Sequence, residues 1–255
     1  SMAVELTRVE EFALITLNRP EALNSLSFAI IRELGEAIDA AASDARALLI
    51  TGAGPKAFCA GADIKELIGN SAKKHHAGVN FGQQTFAKLD DLPIPSIALI
   101  NGYAFGGGLE LALACTFRLA SRSAKMALPE IKLGLIPAYG GTQRLPRMIG
   151  ESRALEMILS GRNIDAAEAE RIGLINRLVD SDLLAAGIEF ARGFSGHSLS
   201  TSRLARQAVH RGLAGSLEQG FGIEAELSTQ AYQTEDAKEG IRAFAEKRQA
   251  KFSDR

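Results

Sequence analysis

Two glutamates occur in parts of the sequence where an acidic side chain is unusual. Glu110 follows Leu109, which comes after three consecutive glycines, and it precedes four apolar residues; this pattern predicts a buried helix that is apolar on nearly every side. Glu130 follows Pro129 in a largely apolar stretch. A buried carboxylate is costly unless it is paired or has a function. The two acids are therefore candidates for proton transfer beside a carbonyl, and a structural ion pair of Glu110 with Arg118 or Arg122 is the alternative.

Two glycine-rich segments could bind a negatively charged group. In Asn101–Glu110, the glycines Gly106–Gly108 stand directly before the apolar helix, whose first N–H groups lie at its positive end and suit an oxyanion or a phosphate. The small residues of Lys56–Lys65 would let a ligand approach the backbone, and Asp63 stands where a short helix can begin. A flexible strand–helix turn and a surface loop are the respective alternatives.

The other motifs argue against metal or nucleotide chemistry. Gly52–Ala57 fits a dinucleotide fingerprint, but the residues after it do not continue a helix. His75 and His76 follow two lysines and are predicted to lie at the surface. Cys59 and Cys115 are far apart and outside any metal-binding spacing, so we expect free thiols. We therefore expect no metal site.

The bulk composition is that of a globular protein with one substantial core. Of 255 residues, 46% are hydrophobic and 23% charged, and the 29 basic and 30 acidic side chains give a net charge of −1. That balance argues against nucleic-acid binding. No apolar run is long enough to span a membrane, and the first residues do not resemble a signal peptide. We expect a cytoplasmic protein, although a processed mitochondrial protein would have the same composition.

Short strands alternating with helices are predicted to position these residues. The predicted strands are Val4–Val9, Phe12–Leu17, Ala47–Ile50, Ile97–Ile100, Phe117–Ala120, Lys125–Leu128 and Leu174–Val179. In the first 195 residues the predicted helices are a helix that Ser27 caps, His75–Leu89 and Gly107–Ala114. After residue 195 the predicted helices are Leu199–His210, Ser216–Tyr232 and Thr234–Lys251. In the last of these, acidic residues near the start and Lys247, Arg248 and Lys251 near the end would complement the helix dipole. We expect an α/β core with the active site over residues 1–195 and a helical region for assembly over residues 196–255.

Taken in order, these segments resemble the crotonase, or enoyl-CoA hydratase/isomerase, family. The matching stretches are Leu17–Pro20, Ala22–Asn24, Phe58–Glu66, Asn101–Ala114, Pro129–Glu130, Gly140–Leu145 and Ala243–Arg248. Their combination covers nearly the whole chain and is highly specific. The resemblance implies an α/β spiral of repeated β-β-α units, with C-terminal helices that form a homotrimer or a homohexamer.

The resemblance also implies the roles of four residues. The N–H groups of Ala62 and Gly107 would bind the thioester oxygen of an acyl-CoA, Glu110 would activate a water, and Glu130 would supply a proton to the α carbon. Retention of both acids favours an enoyl-CoA hydratase, which adds water in a reversible syn reaction to a trans-2-enoyl-CoA and yields a 3-hydroxyacyl-CoA, in fatty-acid or branched-acid breakdown. Coenzyme A is then part of the substrate, and no separate cofactor is expected.

Further residues are expected by resemblance to contact the substrate. They are Ala22, Leu23, Lys56, Ala60, Asp63, Ile64, Lys65, Gly106, Tyr139, Phe244 and Lys247. Lys56 and Lys65 could meet the phosphates of CoA. Ala138 and Tyr139 stand where the family has a small pair that contains glycine, and Tyr139 bears on the preferred chain length. The alternatives are a 3,2-enoyl-CoA isomerase, a methylglutaconyl-CoA-type hydratase and a non-catalytic acyl-CoA-binding scaffold.

Overall fold

Ten strands and ten helices are present in residues 2–255, which the computed structural model describes. The strands are β1 (Val4–Val9), β2 (Phe12–Leu17), β3 (Leu48–Gly52), β4 (Ala57–Cys59), β5 (Ser96–Ile100), β6 (Tyr103–Phe105), β7 (Phe117–Ser121), β8 (Lys125–Ala127), β9 (Ile164–Asp165) and β10 (Arg177–Val179). The helices are α1 (Phe28–Ala41), α2 (Ala72–Asp91), α3 (Gly107–Ala114), α4 (Gly141–Ile149), α5 (Glu151–Ser160), α6 (Ala166–Arg171), α7 (Leu183–Ser195), α8 (Leu199–Gly212), α9 (Leu217–Tyr232) and α10 (Glu235–Ala245). Short 3-10 turns cover Pro20–Ala22, Ile64–Leu67 and Pro129–Leu133.

The strands belong to two sheets, and from β3 to β8 successive strands alternate between them. The larger sheet has the order β1-β2-β3-β5-β7-β10 and the smaller one β4-β6-β8-β9. The pairs β3–β4, β5–β6 and β7–β8 each give one strand to the larger sheet and the next to the smaller, and a helix follows each pair. Neighbouring strands are parallel from β2 to β10 in the larger sheet and from β4 to β8 in the smaller. The predicted α/β fold of repeated β-β-α units is confirmed.

The core forms where parallel strands are covered on both faces. All three of Leu48, Leu49 and Ile50 in β3 are fully buried, as expected for a central parallel strand. Helix α3 is buried along its whole length. A Cβ atom on Gly108 would lie 1.9 Å from the carbonyl oxygen of Cys59, so only glycine allows α3 to pack this closely on β4.

Several predicted elements are confirmed and others need correction. The bounds of β1, β2 and α3 match the prediction, and the Ser27 side chain caps α1 by accepting a hydrogen bond from Ile30 N. Helix α2 begins at Ala72 rather than at His75 because the Ser71 side chain caps it. Strands β4 and β6 were not predicted, because each has only three residues and lies in one of the two glycine-rich segments.

The predicted end of the last helix is wrong. Helix α10 ends at Ala245, and Lys247 has a left-handed φ of 54° beyond it. The Arg248 guanidinium donates two hydrogen bonds to the Glu239 carboxylate, at 2.8 and 2.9 Å, and this pair holds the turned-back chain. The basic residues expected at the helix terminus therefore lie outside the helix, so this half of the interpretation from the helix dipole is wrong, whereas the predicted acidic start is confirmed by Asp236 in the first turn.

The chain divides into two compact units, the first ending at Glu189 and the second running from Phe190 to Arg255. The boundary lies inside α7, whereas the sequence prediction placed it after residue 195. The first unit contains both sheets, and the second consists of the end of α7 and helices α8, α9 and α10. Large apolar side chains of the second unit are exposed, namely Val209, Leu213, Leu217, Phe221, Tyr232, Ile241 and Phe244.

Candidate active site

The candidate site lies at the carboxyl ends of three neighbouring strands of the smaller sheet. Ala62 follows β4, Gly107 follows β6 and Glu130 follows β8. Because adjacent parallel strands lie about 4.8 Å apart, the segments that leave their ends converge. All three residues line one cavity of about 490 Å³ in the first unit, together with Glu110. The structure thus brings together the four residues to which the sequence assigned the chemistry.

Two backbone N–H groups point to an oxyanion-binding site in this cavity. Gly107 is the first residue of α3, and a Cβ atom on it would lie 3.7 Å from the nitrogen of Ala62. Among residues 2–255, neither N–H group donates a hydrogen bond to a protein acceptor. Gly106, directly before α3, has a positive φ of 55°, which favours glycine. A Cβ atom at this position would also lie 3.0 Å from Oε2 of Glu130. The two donors can therefore bind one negatively charged oxygen.

Glu110 is a buried carboxyl that the backbone holds in place. Its Oε2 accepts hydrogen bonds from the backbone N–H groups of Tyr139 and Gly141, both at 2.7 Å. The pKa of Glu110 is raised to about 7: burial is the largest cause, the negative charge of Glu130 adds to the rise, and the hydrogen bonds from Gly141 N and Tyr139 N oppose it. A carboxyl with such a pKa can exchange a proton near neutral pH.

The expected alternative partners of Glu110 are occupied elsewhere. The Arg118 guanidinium donates hydrogen bonds to the carbonyl oxygens of Ala112, Cys115 and Leu174. Arg122 forms a bidentate pair with Asp180. Neither arginine pairs with Glu110, so the alternative of a structural ion pair is wrong.

Glu130 lies in the 3-10 turn Pro129–Leu133, with one oxygen left without a partner. Its Oε1 is buried and has no hydrogen-bond partner among the described residues. Burial also raises the pKa of Glu130. Because buried polar atoms in proteins are nearly always hydrogen-bonded, this unpaired oxygen on a residue that lines the cavity indicates a place for a polar partner such as a ligand atom.

Tyr139 forms one wall of the cavity beside the two N–H donors. Its ring packs edge-to-face on Phe86, with the ring centroids 5.7 Å apart at 83°. A Cβ atom on Gly107 would lie 3.4 Å from Cδ2 of Tyr139. Burial raises the pKa of the Tyr139 hydroxyl to about 12, so this group stays neutral at physiological pH.

The other predicted contact residues fall into two groups. Ala60, Ile64 and Gly106 line the cavity, as Tyr139 does. The cavity lining does not include Ala22, Leu23, Lys56, Asp63 or Lys65. Within the second group, the Leu23 carbonyl accepts a hydrogen bond from Ala60 N at 2.9 Å, the Asp63 side chain caps the 3-10 turn that follows it, and Lys56 and Lys65 are exposed. These residues support or surround the site, and their contact with a ligand remains a prediction.

Two further predicted contacts, Phe244 and Lys247, belong to the second unit. Phe244 is 86% exposed, and Lys247 follows the end of α10. Their approach to a ligand also remains a prediction.

Several cavity residues were not identified from the sequence. His75 is exposed, as predicted, but it also lines the cavity, together with Val79 from the same helix. Their spacing of four residues places both on one face of α2, and this periodicity was the available signal. The remaining lining residues not identified from the sequence are Phe28, Leu67, Asn70, Phe105, Pro129, Leu133, Gly134, Leu135 and Ile136.

The described part of the chain offers no sign of a metal site or of a membrane span. Residues 2–255 contain no group of three or more His, Cys, Asp or Glu side chains placed to hold a metal ion. None of the helices formed by these residues is both long and apolar enough to cross a bilayer.

Comparison with known proteins identifies the family. Residues 7–255 match the enoyl-CoA hydratase/isomerase family. The Bacillus subtilis protein YngF is 46% identical over 246 residues, 95% of each chain. Human mitochondrial methylglutaconyl-CoA hydratase is 41% identical over 243 residues, which cover 92% of this chain and 72% of that protein. The crystal structure of an enoyl-CoA hydratase from Bacillus anthracis superimposes with a TM-score of 0.93 at 39% identity and covers 100% of both chains. The chain therefore belongs to the enoyl-CoA hydratase/isomerase family, the crotonases, and is an enzyme of the hydro-lyase class.

Proposed function

We propose that the enzyme catalyses the reversible syn addition of water to a trans-2-enoyl-CoA, which yields a 3-hydroxyacyl-CoA. One observation carries the proposal: two carboxyl groups with raised pKa values share a cavity with two unpaired backbone N–H donors. Hydration needs a group that takes a proton from water, a group that gives one to carbon, and donors for the carbonyl oxygen that gains charge between these events. The four residues supply these functions.

In the proposed mechanism, the thioester oxygen accepts hydrogen bonds from Ala62 N and Gly107 N. A water held by Glu110 attacks carbon 3 and passes a proton to the Glu110 carboxylate, while the electrons of the double bond move toward the thioester oxygen. Fixed donors stabilise this enolate-like charge without reorganising. Protonated Glu130 then transfers its proton to carbon 2, and the two carboxyls exchange a proton through the solvent to restore the starting state.

The assignment of Glu110 as the base follows from its contacts. Two backbone N–H groups donate to its Oε2 at 2.7 Å, and such bonds favour the ionised form and fix its direction. Glu130 is proposed as the proton donor on the family resemblance, and burial raises the pKa of this carboxyl as well. One acid and one base in a shared cavity is the arrangement that hydration requires.

Two enzymatic alternatives use the same fold. A 3,2-enoyl-CoA isomerase moves a proton between two carbons, for which a single carboxyl is sufficient, whereas this site has two. A methylglutaconyl-CoA-type hydratase, the activity in the name of the human relative, acts on an acyl group with its own carboxylate. Among the described residues, no lysine or arginine side chain lines the cavity, and His75 and Asn70 are side chains there that could donate a hydrogen bond to such a carboxylate.

Two measurements test the proposed function. Incubation with a panel of 2-enoyl-CoA thioesters should remove the absorbance of the enoyl-thioester band, and product analysis with 3-enoyl-CoA should detect little isomerisation. Glu110→Gln and Glu130→Gln should each lower kcat at least about 100-fold while the affinity for a saturated acyl-CoA changes little. Glu36→Gln, at an exposed position of α1, is the matched control.

Near-normal kcat in either active-site variant would remove that residue from the mechanism. Absence of turnover with every acyl group would favour the non-catalytic scaffold instead.

We also propose that the protein assembles as a homotrimer or homohexamer through its second unit. The support is the set of exposed apolar side chains on α8, α9 and α10, such as Phe221 and Ile241, which a second subunit could cover. Phe244 and Lys247 are proposed to approach the CoA part of the substrate in that assembly. A cytoplasmic setting and a role in fatty-acid or branched-acid breakdown are proposed with it.

A further inference from the structure

The ring of Tyr139 occupies a notch that exists only because residue 82 is glycine. A Cβ atom on Gly82 would lie 2.5 Å from Cε1 and 2.6 Å from Cδ1 of Tyr139, distances at which no side chain fits. Gly82 is in the middle of α2, where glycine costs about 1 kcal/mol relative to alanine. No turn and no positive φ requires glycine at this position. The close approach of the Tyr139 ring is therefore the physical reason for this glycine.

The ring is held on several sides, and one side remains open to the cavity. Gly82 and Phe86 of α2 contact it on one side, and Gly107 at the start of α3 contacts it on another. Tyr139 is only 9% exposed, yet it lines the cavity. The ring is thus a fixed part of the wall, directly beside the proposed binding position of the thioester oxygen.

The contacts along α2 place Tyr139 at the inner end of the cavity. Exposure falls along one face of this helix, from exposed His75 and half-buried Val79 to buried Gly82 and fully buried Phe86. Tyr139 contacts the two buried members of this series. An acyl group whose carbonyl oxygen is bound by Ala62 N and Gly107 N would therefore meet the ring within its first few carbons.

We infer that Tyr139, seated against Gly82, is a specificity-determining residue that limits the enzyme to short acyl groups. The inference rests on the proposed function and refines it by naming the substrate class as short-chain enoyl thioesters. The steric bulk of the ring carries the effect. The hydroxyl has no hydrogen bond to another described residue and is not needed for the limit.

The test compares kcat/KM for trans-2-enoyl-CoA substrates of four to ten carbons. Tyr139→Ala should raise the ratio of kcat/KM for the ten-carbon to that for the four-carbon substrate at least about tenfold, since a single methylene group that does not fit can already cost this much. Tyr139→Phe keeps the ring and should leave the ratio unchanged. Tyr139→Leu, of intermediate size, is a second variant in case the alanine variant does not fold.

Gly82→Ala tests the same contact by a change in α2 instead of in Tyr139. The added methyl group should push the ring into the cavity and raise KM even for the four-carbon substrate, although alanine favours the helix itself. The double variant Gly82→Ala/Tyr139→Ala removes the clash and should recover the four-carbon KM. A circular-dichroism spectrum and melting temperature for each variant distinguish this repositioning from a loss of folding.

Dissociation constants of saturated acyl-CoAs of the same lengths provide a readout that does not need turnover. If the wild-type enzyme hydrates no enoyl-CoA, the proposed function fails, and these constants still decide the inference. An unchanged length profile for both Tyr139→Ala and Tyr139→Leu would overturn it. A shift of equal size in Tyr139→Phe would also overturn it, because the hydroxyl would then set the limit.

Discussion

Replacement of Glu110 by glutamine should make the protein more stable as the pH rises, relative to the wild type. The burial of Glu110 raises its pKa from the ordinary value of 4.5 to about 7. Ionisation of Glu110 therefore destabilises the folded state. The site keeps this carboxyl because the proposed chemistry needs it. The glutamine side chain is close in shape, and its carbonyl oxygen can still accept hydrogen bonds from Tyr139 N and Gly141 N.

The size of the effect follows from the two pKa values. Below pH 4.5 the group is protonated in both the folded and the unfolded chain, so it costs nothing. As the pH rises toward 7 the unfolded chain loses the proton first, and stability is lost until the folded-state group ionises as well. The full cost above pH 7 is about 3 kcal/mol, of which about 2.5 kcal/mol develops between pH 5 and pH 8. Glu110→Gln should abolish that part of the pH dependence.

Urea unfolding of wild type and Glu110→Gln at pH 5, 6, 7 and 8 measures this difference. Both proteins are compared at the same subunit concentration, because assembly changes apparent stability. Glu36→Gln, at an exposed position, should keep the pH dependence of the wild type. A difference in unfolding free energy between Glu110→Gln and wild type that stays constant from pH 5 to pH 8 would refute the reasoning about burial.

Four further outcomes are expected. The kcat/KM of the wild type should fall on both sides of neutral pH, because both acids have raised pKa values and only the singly protonated pair is active; a flat profile from pH 5 to pH 9 would exclude this pairing. Gly107→Val should keep its circular-dichroism spectrum and lose at least about 100-fold in kcat, whereas activity within a few-fold of wild type would show that the backbone donor is wrongly assigned. Asp90→Asn breaks a largely buried bidentate pair with Arg144 in α4, at 2.7 and 2.9 Å, and should lower the unfolding free energy by about 2 kcal/mol in a urea titration. Deletion after Gly215 should abolish both assembly, measured by sedimentation at micromolar concentration, and acyl-CoA affinity, whereas an active monomer would contradict the assembly proposal.

The sequence predicted the elements whose patterns are local. Alternating residues define β1 and β2, and the glycines before an apolar run define α3, so their bounds were correct. The three-residue strands β4 and β6 could not be predicted, since their pairing depends on distant strands. The end of α10 was missed because the long-range pair of Arg248 with Glu239 turns the chain back.

In the candidate site, too, features set by neighbouring residues were predictable, whereas contacts between residues far apart in sequence were not. Glu110 was identified by its local surroundings, but its hydrogen-bond partners were not. The donors to it are backbone N–H groups of Tyr139 and Gly141, which carry no signature in residue type, whereas the arginines nearer in sequence looked like better partners. The contact between Gly82 and Tyr139 could not be predicted either, because a glycine within a helix does not show which residue packs against it.

The alternation of strands between the two sheets has a consequence for how this enzyme could change over time. One successive β-β-α turn presents Ala62, the next presents Gly107 and the third presents Glu130, each from the segment after a strand of the smaller sheet. Since the strands fix the spacing, the segment after one strand can be altered while the others keep their positions. A mutation at the third turn could exchange the acid and redirect the reaction without loss of the anion-binding donors on the first two. Because Glu110 lies in the same turn as Gly107, such a change would keep one acid and both donors and would alter only the second acid.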